Sequence, residues 1–100
     1  MTYVVIARYR TLPDAQDTVL PLLDAMATAS RAEEGCLGYR VHQGTEDPRD
    51  LALYEEYRTE ADFAAHCASA HFQDLVLGKI VPLLESREVL RCAPRAEVTA

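Results

Sequence analysis

Residues 3–10, Tyr-Val-Val-Ile-Ala-Arg-Tyr-Arg, are dense in β-branched and aromatic types and read as a strand. Alternation puts Tyr3, Val5, Ala7 and Tyr9 on one face and Val4, Ile6, Arg8 and Arg10 on the other. Two arginines late on the second face suggest that it runs from core to an opening. Leu12-Pro13-Asp14 is the turn out. Val19, Leu22, Leu23, Met26 and Ala29 then recur at helical spacing, and this apolar stripe predicts a helix to about residue 33. Pro21 fits if the helix starts near Asp17 or Thr18, with the ring in its first turn; otherwise it kinks the helix. Gly35 is the expected C-terminal stop.

Residues 36–43 alternate again, with Leu37, Tyr39 and Val41 on one face and Gly38, Arg40 and His42 on the other. Residues 44–50, containing Asp47-Pro48, have turn chemistry, and residues 51–58 form the next strand, so the two strands make an antiparallel hairpin. Leu51, Leu53, Glu55 and Tyr57 share a face. A carboxylate that continues an apolar stripe needs a partner or a wet pocket. Thr59 with Asp62 resembles a capping box and opens a short helix through about residue 68. Ser69 suits the N-cap of a second helix, residues 70 to about 81, carrying Phe72, Leu75, Val76 and Ile80 and ended by Pro82. Residues 86–93 make a fourth strand. The tail, 94–100, is expected to be loose or docked on a partner.

The order is β-α-β-β-α-β with the second helical segment broken in two. It predicts one α+β domain over residues 1–100, core 3–93, of ferredoxin-like type: a four-stranded antiparallel sheet with helices on one face. The other face then needs cover. If it is as apolar as Tyr39, Val41 and the tyrosines of the first strand suggest, a second copy is the natural cover, which predicts a homodimer.

One hundred residues suffice for one modest core, and 49% hydrophobic with 26% charged residues is ordinary globular composition. A net charge of −6, with nine scattered arginines and one lysine, builds no basic stripe and argues against nucleic acid or an anionic membrane surface. No apolar run reaches membrane-spanning length, and the N-terminus lacks a basic region ahead of its apolar residues, so a strand is expected there rather than a signal peptide. Three cysteines, Cys36, Cys67 and Cys92, without CxxC spacing fit reduced thiols and a cytoplasmic location better than disulfides or a zinc site.

Candidate chemistry gathers between residues 55 and 72. His66 and His71 are five apart, which on one unbroken helix turns them about 140° from each other. The Ser69 break changes that geometry and leaves room for both to approach the same cavity. A histidine at a pocket mouth suits a general base, although spacing alone favours capping or packing roles. The pair has neither HExxH spacing nor an obvious third ligand nearby, so no metal is expected. Glu55 suits orienting a histidine or binding a substrate hydroxyl, and equally a salt bridge to Arg8, Arg40 or Arg58. Tyr57 and Phe72 suit stacking on an aromatic ligand, or simply core. His42 belongs with Arg40 on the outer face, and Cys67 points away from His66 on a helix. No serine-hydrolase elbow, phosphate loop or dinucleotide fingerprint occurs.

Five stretches in order carry a resemblance over nearly the whole chain. They are Glu33-Glu34-Gly35-Cys36-Leu37-Gly38-Tyr39, Asp47-Pro48, Tyr54-Glu55-Glu56-Tyr57, His66-x-x-Ser69-x-His71-Phe72 and Pro82-Leu83-Leu84. The sequence resembles the antibiotic biosynthesis monooxygenase family. The resemblance implies a dimeric α/β barrel of two ferredoxin-like sheets face to face, with a pocket in each subunit between sheet and helices. It implies oxygenation of a small aromatic substrate, an anthrone or quinol, by O₂ without a cofactor, the substrate anion itself reducing oxygen. His66, His71, Glu55 and Tyr57 match the family motif by position, and Arg8 lies on the strand that usually supplies a polar pocket residue. The implied roles are a histidine as base, Arg8 steadying the anion, and Tyr57 with Phe72 walling the ring. Haem-degrading members carry an asparagine, a tryptophan and a histidine where this chain has Arg8, His66 and Val76, which disfavours haem. The tryptophan of the family's Glu-x-Trp pattern is Tyr57 here, so an anthrone-type site also departs from type. Two rivals share the scaffold: an isomerase using the histidines as acid and base without O₂, and a non-catalytic dimeric binding or stress-response module.

Overall fold

A computed structural model describes residues 1–95. Strand β1 (Tyr3–Thr11) leads to helix α1 (Gln16–Arg31), the hairpin β2 (Cys36–Gln43) and β3 (Asp50–Tyr57), and helix α2 (Glu60–Ala68). After a break at Ser69 comes α3 (Phe72–Ile80), wound with π-type hydrogen bonds, then a single 3₁₀ turn (Val81–Leu83) and strand β4 (Leu84–Cys92). The sheet order is β2-β3-β1-β4 and every pairing is antiparallel. This is the expected ferredoxin-like βαββαβ arrangement. All but the first two residues of the 94–100 tail lie outside the described residues.

The helices cover one sheet face. Ala7, Tyr9, Tyr39, Leu51 and Leu53 point from it into a core with Val19, Leu23 and Met26 of α1 and Phe72, Val76 and Ile80 of the α3 segment. A smaller cluster of Val5, Tyr57 and Phe63, flanked by Tyr3, fills the end of the sheet under α2. Val19, Leu23 and Met26 of the predicted α1 stripe are buried, Leu22 and Ala29 are partly so, and Ala27 and Ser30 join them; the helix starts at Gln16 and holds Pro21 inside rather than in its first turn. Pro21 is exposed, so its ring faces water instead of the core.

Three sequence expectations change. Tyr9, Tyr39 and Val41 face the helices, so they are not the apolar face awaiting a partner. The open face carries Val4, Ile6, Ala52, Tyr54 and Leu90 mixed with Arg8, Arg40, His42 and Glu88, as the strand register dictates. The arginine side of β1 is thus the open sheet face, not a path from the core. Finally, a register shift between Cys36 and Gly38 takes Leu37 out of the Tyr39 and Val41 row and leaves it 54% exposed. β4 sits at the sheet edge and is exposed over nearly all its length. Among the described residues no helix is long and apolar enough to cross a membrane.

Candidate active site

Helix α2 starts where Thr59, in extended conformation, accepts a hydrogen bond from the Asp62 N–H at 3.1 Å. Two turns on, the helix delivers His66 to the sheet and then stops. Ser69 is extended at the break and serves both sides of it. Its hydroxyl donates to the His66 carbonyl at 2.6 Å and accepts the Phe72 N–H at 3.2 Å. The chain thus turns before His71, and the two imidazoles that one straight helix would splay apart lie with ring centroids 6.1 Å apart.

A third residue joins them. α1 ends at Arg31, short of the predicted end, which leaves Glu33 in the turn to β2. Gly35 is what brings this turn in. The Asp62 side chain of α2 lies where a Cβ on residue 35 would stand, and the Arg58 N–H donates to the Gly35 carbonyl at 2.9 Å. Gly35 is therefore a close-approach glycine rather than a helix stop. The Glu33 carboxylate then meets His66 Nδ1 at 3.0 and 3.1 Å and His71 Nε2 at 2.5 Å. One carboxylate accepts from two imidazole N–H groups, which sets the tautomer of each.

The other side of the His66 ring faces β3. Nε2 lies 3.7 Å from Glu55 Oε1, and the same oxygen accepts the Tyr57 hydroxyl at 2.6 Å. His71, Glu33, His66, Glu55 and Tyr57 thus form one row from the surface inward. Of these, His66 and Glu55 are 2% and 5% exposed. Four aromatic rings surround the imidazole: Tyr39, Tyr57, Phe63 and Phe72, with centroids at 6.0, 5.2, 6.0 and 5.4 Å.

Burial controls the electrostatics. It raises the Glu55 carboxyl to about 7 against the stabilising Tyr57 hydrogen bond, and it pushes the Tyr57 and Tyr39 phenols up. Burial lowers His66, opposed by the nearby Glu33 carboxylate. Burial thus shifts both members toward their neutral forms, the acid upward and the base downward, as an acid–base pair requires. On the cleft side, a cavity of about 260 Å³ opens onto Glu33 and His66 between the turn at residues 33–35 and α2.

Of the residues singled out in the sequence, His66, His71, Glu55, Tyr57 and Phe72 are brought together. Arg8 is not. Residue 8 alternates with the buried Ala7 and Tyr9, so its side chain leaves through the open face, where it lines a shallow cleft with Ile6, Glu88 and Leu90. Glu33 was missed as a site residue. It opens the first stretch of the family resemblance, but in the residues themselves its signal was a carboxylate pair just before a glycine, and either member of such a pair reads as surface. Burial raises the thiols of Cys36 and Cys67, which leaves neither an activated nucleophile. His42 is exposed on the open side, beside the Ala52 carbonyl at 3.3 Å.

Known proteins resemble the chain in sequence and in fold. The profile of the family described as "Antibiotic biosynthesis monooxygenase" matches residues 2–76. A curated relative from Mycobacterium tuberculosis, "Putative monooxygenase Rv0793", is 41% identical over 68 residues, 68% of this chain and 66% of that protein. The solved structure of Rv0793 superposes with a TM-score of 0.88 at 33% identity, covering 99% of this chain and 100% of that one. A crystal structure titled as an antibiotic biosynthesis monooxygenase gives 0.89 at 30% identity, with 94% and 99% covered. PA3566 from Pseudomonas aeruginosa gives 0.88 at 27%, with 95% of each chain covered.

Proposed function

The chain belongs to the antibiotic biosynthesis monooxygenase family, and on that premise we propose that it is a cofactor-independent monooxygenase acting on a small quinol or polyketide-like aromatic. The observation that carries the reading is the buried Glu55–His66 pair, 3.7 Å apart inside a shell of four aromatic rings. An electron-rich phenol needs two things from such a site: a place for its ring and an acceptor for its proton. Tyr57 and Phe72 serve the first. The Glu55–His66 pair serves the second, and Glu33 with His71 leads the proton toward the cleft. Once ionised, the substrate reduces O₂ itself. One oxygen atom ends in the ring product and the other in water, with both hydrogens supplied by the substrate.

The face bearing Ile6, Tyr54 and Leu90 is the one we assign to a second copy, giving a homodimer; Arg8 would then stand at that interface instead of beside the substrate anion. A cytoplasmic setting suits three free thiols.

Oxygen uptake by chelator-treated protein against hydroquinones and anthrones is the test. Uptake above the spontaneous rate, with a ring-oxidised product, is expected, and His66→Ala should lower it by about 10²–10⁴-fold. No uptake on any substrate, with product isomers accumulating instead, would transfer the same pair to an isomerase. Uptake unchanged in both His66→Ala and Glu55→Gln would remove the pair from the mechanism.

A further inference from the structure

We propose that Glu33, His66 and His71 are the protein ligands of a borderline divalent transition-metal ion such as Zn²⁺, bound at the mouth of the cleft. Each residue offers one donor atom, and the three donors lie within 4.8 Å of one another. Around an ion with bonds of about 2.0–2.2 Å, neighbouring donors stand roughly 3–3.5 Å apart. The Glu33 oxygens are already 3.0 and 3.1 Å from His66 Nδ1. His66 is fixed by burial, whereas Glu33 and His71 keep 19% and 25% of their side chains exposed and can turn to close the set.

The far side of the His66 ring supplies an independent argument. A metal on Nδ1 leaves the ring proton on Nε2, and metal-bound histidines regularly donate that proton to a carboxylate. Glu55 is the carboxylate on that side; its Oε1 lies 3.7 Å from Nε2, a small side-chain turn beyond hydrogen-bond distance, and that oxygen accepts the Tyr57 hydroxyl. On the near side, the cleft of about 260 Å³ leaves room for water or a small ligand to complete the coordination. Its charge also suits a cation. Glu33, Glu34 and Asp62 line it against a single cation, Arg58, which Asp62 engages at 3.1 Å and Glu34 at 3.7 Å. Two imidazoles and one carboxylate select Zn²⁺, Co²⁺ or Ni²⁺ over Mg²⁺ and Ca²⁺.

Binding follows from the geometry alone and does not depend on the proposed oxygenase. One consequence does rest on that reading: with its proton moved to Nε2, His66 can no longer accept one there, so a loaded site is closed to proton abstraction.

Calorimetric titration of chelator-stripped protein with Zn²⁺, without substrate, tests the inference. One ion per chain is expected, with Mg²⁺ failing to compete. Glu33→Gln and His71→Ala should each abolish the site, and both keep the buried His66 and so the fold, checked by circular dichroism. Glu55→Gln should weaken binding by on the order of 10–100-fold, while His42→Ala on the open face should leave it unchanged. With ¹⁵N labelling, the His66 proton should move from Nδ1 to Nε2 on loading. Absence of saturable binding, binding that survives both ligand substitutions, or a thiolate-to-metal band with Co²⁺ that assigns the ion to cysteine would overturn the proposal. None of these readouts involves oxygen uptake, so the two readings fail separately.

Discussion

Two charged clusters occupy opposite ends of β3. At its start, Arg10 reaches Asp50 at 2.7 Å, Glu85 at 2.9 Å and Asp47 at 3.1 Å, and Arg49 joins through Glu85 at 3.3 Å. At its end, Glu55 and Tyr57 meet His66, Glu33 and His71. The first cluster is a third to a half exposed around Arg10, and it ties the ends of β1, β3 and β4 together in contact with water. Its charges stay in contact with water, so each pair contributes little. In the second cluster burial withholds water from Glu55 and His66, which raises the acid and lowers the base. Carboxylates thus give a clamp at one end and an acid–base site at the other. Two differences decide it: arginine stays charged where histidine titrates, and only the second end is buried.

Removing His66 should have the largest effect on stability. His66→Ala leaves Glu55 without its neighbour and a void among four rings, and should lower unfolding free energy by about 3 kcal/mol in urea denaturation. A loss under about 1 kcal/mol would make the buried end no different from the exposed one.

Glu55 sharpens the comparison through pH. Its carboxyl is raised by burial from 4.5 to about 7, so the folded state holds this proton more tightly than the unfolded chain. Its contribution is fully present below pH 4.5 and is lost as pH rises through 7. Measured in chelator, the parent protein should lose up to about 3 kcal/mol of stability relative to Glu55→Gln between pH 4.5 and 8. Parallel pH curves for the two proteins would mean that Glu55 is not desolvated.

Gly35→Ala should cost about 1–2 kcal/mol, because Asp62 must yield its place. It should also pull Glu33 away from the histidines, visible as changed imidazole shifts by NMR. The smallest effect belongs to the exposed clamp. Arg10→Met should lower stability by about 1 kcal/mol or less, and added salt should shrink the difference. A loss matching that of His66→Ala would erase the contrast between the two ends.

Much of the scaffold was legible in the chain because it rests on short-range rules. Alternation assigned the faces of β1 and β3, the helical stripe chose the buried side of α1, and Thr59 and Ser69 announced their caps through their own hydroxyls. Where those rules met a tertiary demand they failed. Alternation through β2 assumed a regular strand, but the shift between Cys36 and Gly38 turned Leu37 outward. Arg8 was linked to the site by family position, yet the same alternation that buries Ala7 and Tyr9 carries it to the other side of the sheet.

By itself, then, the sequence determined the order of elements, the ferredoxin-like sheet, and five of the residues now clustered at the site, because periodicity and capping are encoded within a few positions. That Glu33 joins them was decided only in three dimensions. Its bonds to His66 and His71 bridge 33 and 38 residues, and they exist because Gly35 lets a turn settle against α2 while Ser69 bends the chain between the histidines. No local pattern encodes such an approach; it follows from how the end of one helix packs against another, and from the burial that packing imposes on Glu55 and His66.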